Sequence, residues 1–327
     1  MAGNKSLTAA AKAKEDEFYT QLTDIEKELK HYKNHFKDKI VFCNCDDPEE
    51  SNFWKYFYLN FKVLGLKRLV STHYDSMKPT YKLEYDGNNI IKSDLKQNGD
   101  FRSPECLSIL NDCDIVCTNP PFSLIREYFA QLIEYKKKFV IIGNLNNVHY
   151  KEIFPLIKDD IVWIGYSSGS KTYRVPEYYP KKKFIGDDGL YYTKMGNTLW
   201  FTNLDIDKRH ENLILYKKYD PNEYPTYLNY DAIEVGKIAD IPCDYYGKMG
   251  VPDTFIHSYN PSQFEIIGLA EGELGKSIGI SSNLSEEQCK ELLSECKSFR
   301  KGNPIFRAED GKLHKPFARL IIRRKNP

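Results

Sequence analysis

Four consecutive residues, Asn119-Pro120-Pro121-Phe122, follow a short apolar run and precede an amphipathic segment. An aryl amine is a poor nucleophile because its lone pair is delocalised into the ring, and two hydrogen-bond acceptors can draw that pair back onto nitrogen. The Asn119 side-chain oxygen and the Pro120 carbonyl could be these acceptors, since consecutive prolines fix φ and remove N–H donors. Phe122 offers an apolar face on which a base can stack. The turn therefore predicts methylation of an exocyclic amine.

The methyl donor for such a reaction would be a sulfonium ion, which reacts by in-line displacement. Holding the two centres in line lowers the barrier, and the positive charge on sulfur is consumed, so neither a metal nor a strong base is required. The eight cysteines fit this expectation, because they form no pair of Cys-x-x-Cys motifs and no zinc-finger spacing. We expect reduced structural thiols, with Cys43, Cys113 and Cys117 in or beside apolar runs.

Asn and Pro also form ordinary turns, so these four residues could be only a turn. Their context decides between the two interpretations. An Ile/Val-rich strand ends directly before the motif, and Leu124, Ile125, Tyr128 and Phe129 begin the apolar face of a helix directly after it. A polar turn at the end of a buried strand favours chemistry.

The elements that must position this turn alternate between strands and helices. Apolar spacing predicts one helix from Phe18 to Phe36 and another after a Ser51 cap, and the later helix after the motif. Strands are predicted at Ile40–Cys43, Arg68–Thr72, around Asn89–Ile91, and at Asp114–Thr118, Phe139–Ile142 and Thr198–Thr202. This alternation predicts an α/β fold with a parallel sheet covered on both faces.

Ligands of such sheets bind beyond the carboxyl ends of the strands. Three polar segments fall at those predicted ends, namely residues 44–47, Tyr74-Asp75 and the Asn-Pro-Pro-Phe turn itself. The ordinary interpretation of aspartates in such loops is a turn or a helix cap. A ligand site and simple turns therefore both remain open at this point.

The 327-residue chain is 41% hydrophobic and 28% charged, which is typical of a globular protein. It has no uncharged apolar run of membrane-spanning length, and its first residues lack the apolar core of a signal peptide. We therefore expect a cytoplasmic protein without a membrane partner. The predicted organisation is a flexible N-terminus at 1–14, a cofactor-binding and catalytic domain at 15–205, and a second region at 206–327.

Charge is uneven along the chain although the net charge is only +1. From residue 300 onward, nine Lys and Arg stand against two acidic residues, and Arg323-Arg324-Lys325 lies near the end. Such a stretch fits a surface that contacts phosphates, or equally a solvated tail.

The chain resembles the EcoRI-type adenine-N6 DNA methyltransferases. The resemblance covers most of the sequence and runs in order through DEFYTQLTDIEKEL, VFCNCDDPEESNFWKYF, GDFRSPE, DIVCTNPPFSL, GNTLWFTNLD, YDAIEVGKIADIP and MGVPDTFIHSYNPSQFEIIG. It implies a Rossmann-like S-adenosyl-L-methionine-dependent methyltransferase domain, followed by a target-recognition region that binds double-stranded DNA. It also implies a role beside a restriction endonuclease. The stretches 74–99 and 269–303 depart from the namesake enzyme, so a recognition sequence cannot be carried over.

The resemblance also implies positions for cofactor binding. Phe18, Tyr19 and Thr20 match an N-terminal cofactor segment. The loop Asn44-Cys45-Asp46-Asp47 would meet the methionine part, and it lacks the glycines usual there, so side chains must do more of the binding. Asp75 would bind ribose hydroxyls. Asp100 and Phe101 would hold the adenine ring.

Two rival functions use the same residues. Enzymes with Asn-Pro-Pro-aromatic motifs also methylate RNA bases or glutamine side chains, and the long C-terminal region argues for DNA instead. Alternatively, the chain could be a non-catalytic DNA-binding module that keeps a methyltransferase fold. The intact Asn119, Pro120 and Phe122 argue against that alternative.

Overall fold

The computed structural model describes residues 18–45, 47–75 and 79–326. The chain divides into two compact units. Unit 1 contains the described residues up to Ile153 together with Val162–Ile206, and unit 2 contains Phe154–Ile161 and the residues from Asp207 onward. The terminus expected to be flexible, 1–14, lies outside the described residues. The functions assigned to the two regions stay predictions.

Unit 1 is built on one large mixed sheet. Its strands run in the order β1-β8-β10-β7-β6-β2-β3-β4-β5, with β9 paired to β10. The strands are β1 (Tyr19–Thr20), β2 (Ile40–Cys43), β3 (Arg68–Thr72), β4 (Tyr81–Tyr85), β5 (Ile90–Asp94), β6 (Ile115–Thr118), β7 (Lys138–Asn144), β8 (Trp163–Arg174), β9 (Phe184–Ile185) and β10 (Tyr191–Thr202).

Four helices of unit 1 connect these strands: α1 (Leu22–Leu29), α2 (Asn52–Leu64), α3 (Pro104–Asp112) and α4 (Ile125–Glu134). The predicted cap of α2 is confirmed, because the Ser51 hydroxyl accepts a hydrogen bond from the Phe53 backbone N–H at 3.2 Å. The helix ends where Gly65 takes a left-handed φ of 64°. Its face of Phe53, Phe57, Phe61 and Leu64 is buried, as the spacing predicts.

The α/β class is confirmed, but only the centre of the sheet is parallel. Strands β3, β2, β6 and β7 pair in parallel. The strands on either side, β4 with β5 and β10 with β8, are antiparallel. The expectation of a parallel sheet therefore holds for the centre and is wrong for the flanking strands. The apolar runs that predict the central strands carry no information about the direction of the more polar strands that flank them.

The predicted helix from Phe18 is wrong at its start. Phe18 is not helical, and Tyr19 and Thr20 form β1, which pairs antiparallel with β8. The α-helix begins at Leu22 and passes into a 3-10 segment over Lys30–His35. Strand pairing therefore overrides the apolar spacing, which could not distinguish a helical turn from a buried two-residue strand.

Unit 2 has a four-stranded sheet in the order β11-β12-β16-β13 and a small hairpin of β14 with β15. Its elements are α5 (Phe154–Lys158), β11 (Ile233–Glu234), β12 (Met249–Pro252), β13 (Phe264–Leu269), α6 (Gly272–Ser277), α7 (Glu286–Glu295), β14 (Phe306–Arg307), β15 (Leu313–His314) and β16 (Arg319–Arg324). Leu320, Ile321 and Ile322 are fully buried, so the basic end of the chain is an interior strand and not a tail.

Candidate active site

The Asn-Pro-Pro-Phe turn leaves the carboxyl end of β6, in the parallel centre of the sheet. Asn119 is buried, with 5% of its surface exposed, and its amide nitrogen Nδ2 donates to the Phe18 carbonyl at 2.6 Å. A carbonyl oxygen can only accept, so this contact fixes which way the amide faces. The other amide atom, Oδ1, is buried and has no hydrogen-bond donor among the described residues. The turn therefore contains a buried acceptor, Asn119 Oδ1, to which a bound ligand could donate a hydrogen bond.

The two proline carbonyls differ in use. The Pro121 carbonyl accepts from the Leu124 backbone N–H at 3.0 Å and so closes the turn into the following helix. Within the described ranges, no backbone N–H donates to the Pro120 carbonyl. Asn119 Oδ1 is therefore an acceptor without a donor in the described part of the chain, and the Pro120 carbonyl is not used by the backbone bond that closes the turn. Their role as a pair of acceptors for an amine stays a prediction.

Phe122 begins a short 3-10 turn and is half-buried. One face of its ring stacks on Phe18, with centroids 5.5 Å apart and planes at 29°. Phe18 in turn meets Tyr179 edge-on at 5.5 Å. Phe18, Phe122 and Tyr179 line part of a cavity of about 720 Å³. Phe122 therefore both contacts the core and faces open space, so packing against Phe18 leaves part of the ring free for a base to stack on.

The N-terminal residues Phe18, Tyr19 and Thr20 border the same turn. Phe18 supplies the carbonyl that orients Asn119. The Arg174 guanidinium lies 4.6 Å from the centre of the Tyr19 ring. The Thr20 hydroxyl is buried and has no partner among the described residues. A cofactor contact for these residues stays a prediction, whereas the positioning contact of Phe18 is one that sequence reasoning missed.

The loop after β2 is held at several points. The Asn44 side chain is buried and its Oδ1 accepts from the Tyr128 hydroxyl, while its backbone carbonyl accepts from the Thr118 hydroxyl. Cys45 has a positive φ of 78°, which sets a sharp turn. Asp46 lies outside the described residues. Asn44 thus ties the ends of β2 and β6 together, and its cofactor role stays a prediction.

Asp47 lies at the far side of this loop. Its Oδ1 accepts from the Tyr81 hydroxyl at 2.6 Å, and its Oδ2 lies 3.6 Å from His73 Nε2. Burial, and then the hydrogen bond to Asp47, raise the pKa of Tyr81, so its hydroxyl remains a protonated donor. Tyr81 comes from β4, the strand that polar residues concealed in the sequence.

Asp75 and Asp100 are joined through one residue. The Asp75 backbone N–H donates to the Asn98 carbonyl at 2.9 Å, and the Asp100 N–H donates to Asn98 Oδ1 at 3.2 Å. Gly99 between them has a φ of +72°, and a Cβ there would lie 1.9 Å from the His73 carbonyl oxygen. Only glycine fits, so the close approach of this loop to the His73 carbonyl, just after β3, is built into the backbone.

The Asp100 carboxylate is paired with Arg102, with Nη2 at 2.8 Å from Oδ2 and Nε at 2.9 Å from Oδ1. Burial of the carboxyl opposes ionisation, but the hydrogen bonds and charge of Arg102 outweigh it and lower the pKa of Asp100. The Phe101 ring is buried and meets Tyr128 edge-on at 5.0 Å. Tyr128 therefore links Phe101 to Asn44, a connection that the sequence did not reveal.

These contacts gather most of the expected site residues on one edge of the sheet. The side chains suit a methyl donor that carries an amine and a ribose diol, because they combine carboxylates at residues 47, 75 and 100 with a buried aromatic ring at Phe101. Within the described ranges, no three His, Cys, Asp or Glu side chains form a metal-ligand cluster. All eight cysteines are free thiols, and Cys43, Cys113 and Cys117 are buried.

The three basic residues expected to contact DNA belong to unit 2. Arg323 and Glu265 form an exposed ion pair at 2.6 Å. Arg324 donates to the Cys243 carbonyl and lies 4.8 Å from the centre of the Tyr246 ring. Lys325 follows β16 with an exposed side chain. Among the helices that the structure describes, none has the length and apolarity that crossing a membrane would require.

The fold is a mixed α/β sheet, and a buried amide, a proline carbonyl and an aromatic ring follow its central strand. This is the arrangement expected of an amino methyltransferase. The family model described as adenine-specific methyltransferase EcoRI matches residues 6–325. The chain belongs to this family of adenine-specific DNA methyltransferases.

Named relatives agree with this assignment. The chain is 47% identical over 305 residues to the type II methyltransferase M.EcoRI of Escherichia coli, covering 86% of this chain and 94% of that protein. It is 41% identical over 266 residues to the type II methyltransferase M.MpnI of Mycoplasma pneumoniae, with 79% and 83% covered. A third relative, M.MgeORF184P of Mycoplasma genitalium, is 40% identical over 271 residues, with 79% and 84% covered.

Proposed function

We propose that this enzyme transfers a methyl group from S-adenosyl-L-methionine to N6 of an adenine that is flipped out of double-stranded DNA. The observation that carries this proposal is the buried Asn119 oxygen, which lacks a donor among the described residues while its amide nitrogen is held by Phe18. An exocyclic amine carries two N–H donors, and this turn offers two acceptors, at Asn119 and Pro120. The two N–H donors of the amine thus match the two acceptors of the turn in number and in type.

The residues of the turn raise the reactivity of the amine by orienting it. Hydrogen bonds from both N–H groups to Asn119 Oδ1 and the Pro120 carbonyl turn the nitrogen lone pair away from the base ring and towards the incoming methyl group. Because the acceptors are fixed before the base arrives, little reorganisation is needed in the transition state. The free face of Phe122 can stack on the base, which is worth on the order of 1–3 kcal/mol.

S-adenosyl-L-methionine, when bound, supplies an electrophilic methyl group on a sulfonium. Asp75 and Asp100 have carboxylates suited to accept from ribose hydroxyls and from an adenine amine, and Asp47 faces the same edge of the sheet. Asp100 remains ionised beside Arg102, so it keeps its accepting lone pairs at neutral pH. Phe101 would contact the adenine ring of the methyl donor on the side that faces the protein core.

Unit 2 would recognise the DNA target, with Arg323, Arg324 and Lys325 as phosphate contacts. Adenine N6 points into the major groove, but a stacked ring cannot reach a pocket closed by Asn119 and Phe122, so flipping follows. By analogy with the named type II relatives, we also propose that the enzyme protects DNA beside a restriction endonuclease. Eight free thiols support a cytoplasmic setting.

The decisive experiment supplies the purified protein with labelled S-adenosyl-L-methionine and offers plasmid DNA, total RNA and protein separately. Label is expected in DNA, and modification-aware sequencing of DNA from an expressing host is expected to place N6-methyladenine at one sequence. Label in RNA or protein would favour the enzyme alternatives. DNA binding without donor binding or transfer would indicate a non-catalytic module and overturn the proposal.

A further inference from the structure

The cavity beside the Asn-Pro-Pro-Phe turn has a charge pattern that methyl-donor binding does not explain. Among the described residues, its walls combine aromatic rings with four lysines and contain no acidic residue; the lining is Phe18, Phe122, Tyr179, Lys181, Lys182, Lys183, Phe184, Thr193, Lys194 and Met195. Its volume of about 720 Å³ is within the range of roughly 300–1,000 Å³ typical of ligand pockets. The ligand that fits is both aromatic and anionic.

Hydrogen bonds to backbone carbonyls hold the segment 177–183, which carries three of these lysines. The Thr193 hydroxyl donates to the Lys182 carbonyl at 2.7 Å, and the Lys183 ammonium donates to the Glu177 carbonyl. Lys183 also lies 4.6 Å from the centre of the Tyr191 ring. Lys183 therefore anchors the segment, while the side chains of Lys181 and Lys182 are exposed at the rim.

Strand β10 and Tyr179 complete the lining. Lys194 is exposed on β10 next to Met195, where the pairing of β10 with β8 shifts register. Tyr179 is buried beneath the segment, and its edge contact with Phe18 joins the floor of the cavity to the residue that orients Asn119. A ligand that lies on this floor is thus next to the reacting amine site.

We propose that Lys181, Lys182 and Lys194 bind the phosphodiesters on either side of the flipped nucleotide, while the aromatic floor receives its base. This assignment rests on the proposed function and adds the residues that hold the target strand in unit 1. Flipping exposes the sugar-phosphate backbone of the target strand, and lysines bind phosphate as point charges without regard to sequence. Binding of these phosphodiesters by the lysines would hold the target strand in place and so stabilise the flipped state of the nucleotide.

The test uses the intact enzyme and the duplex that the wild type is found to methylate. A triple variant, Lys181→Gln, Lys182→Gln and Lys194→Gln, is compared with a charge-keeping triple of Lys→Arg at the same positions. A second control neutralises three exposed lysines of helix α2 and the turn after it, by Lys55→Gln, Lys62→Gln and Lys67→Gln. DNA affinity is measured over a range of salt, and donor affinity by calorimetry.

The Gln triple at the cavity is expected to flatten the salt dependence by about 0.9 units of slope for each phosphate that the protein no longer neutralises. It should also reduce the fluorescence rise of 2-aminopurine placed at the target adenine, with donor affinity unchanged. The Arg triple should keep the wild-type slope. An unchanged slope, an equal effect of the α2 triple, or a fall confined to donor affinity would overturn the assignment. If the wild type methylates no DNA, it is the proposed function that fails.

Discussion

Replacing Asn119 by alanine removes both hydrogen-bonding groups of one buried amide. Loss of a single preorganised acceptor typically lowers the rate by about 10²–10³, which corresponds to roughly 2.7–4 kcal/mol of transition-state stabilisation. The same change leaves the Phe18 carbonyl without its partner, at a cost of about 1–3 kcal/mol in the free energy of unfolding. We therefore expect a large fall in the methylation rate together with a modest fall in melting temperature.

Two further variants separate catalysis from stability. Asn119→Asp keeps an acceptor oxygen but turns a second oxygen towards the Phe18 carbonyl, so an intermediate rate is expected. Asn60→Ala removes an amide-to-carbonyl hydrogen bond of the same kind, to Tyr56 at 2.8 Å on α2, and should lower stability alone. Single-turnover methylation, donor calorimetry and thermal melting are measured for each. A rate for Asn119→Ala close to that of the wild type would refute the two-acceptor reasoning.

Three other changes test separate parts of the site. Asp100→Ala should weaken donor affinity in calorimetry, and unchanged affinity would move the adenine pocket elsewhere. Phe122→Ala should reduce capture of a flipped 2-aminopurine and, because the ring also stacks on Phe18, lower stability by less than the about 3–5 kcal/mol of a fully buried Phe; early melting with a full fluorescence rise would exclude stacking. Neutralising the exposed charges of Arg323 and Lys325 should weaken binding to all sequences and flatten the salt slope by about one unit for each phosphate they bind. An unaltered slope would remove both from the DNA surface.

The central strands and the catalytic turn could be predicted because their signals are local. Runs such as Ile40–Cys43 and Ile115–Thr118 are apolar throughout, as strands buried on both faces must be. The turn after β6 is marked by two prolines that no helix or strand interior accepts. Residue types alone therefore placed the proposed catalytic turn at the carboxyl end of a central strand.

Among the flanking strands, only parts of β5 and β10 could be predicted, and β4 and β8 could not, because their residues have a polar face. Strand β4, Tyr81–Tyr85, alternates apolar and charged side chains, and β8 contains glycines and a lysine. What fixes these strands is pairing with partners distant in sequence. The role of Phe18 was concealed for the same reason, since a backbone carbonyl leaves no trace in the amino-acid type.

The basic end of the chain shows how little composition says about placement. Its nine Lys and Arg fit a phosphate-contacting surface or a solvated tail equally well, and three apolar residues within it exclude the tail. Leu320, Ile321 and Ile322 are fully buried, and β16 pairs with β12 on one side and β13 on the other. The free energy gained by burying those side chains outweighs the preference of the neighbouring charges for water. Because the arginines belong to the same strand, the sheet fixes their positions.

The paired acceptors of the turn also bear on what happens after transfer. On the proposed mechanism, the unmodified amine satisfies Asn119 Oδ1 and the Pro120 carbonyl at once, whereas N6-methyladenine retains a single N–H. One buried acceptor is then left unsatisfied, which costs about 1–3 kcal/mol, or roughly one to two orders of magnitude in affinity. The methylated base therefore binds more weakly than the unmodified base. Product release is favoured, and a second methylation of the same nitrogen is disfavoured.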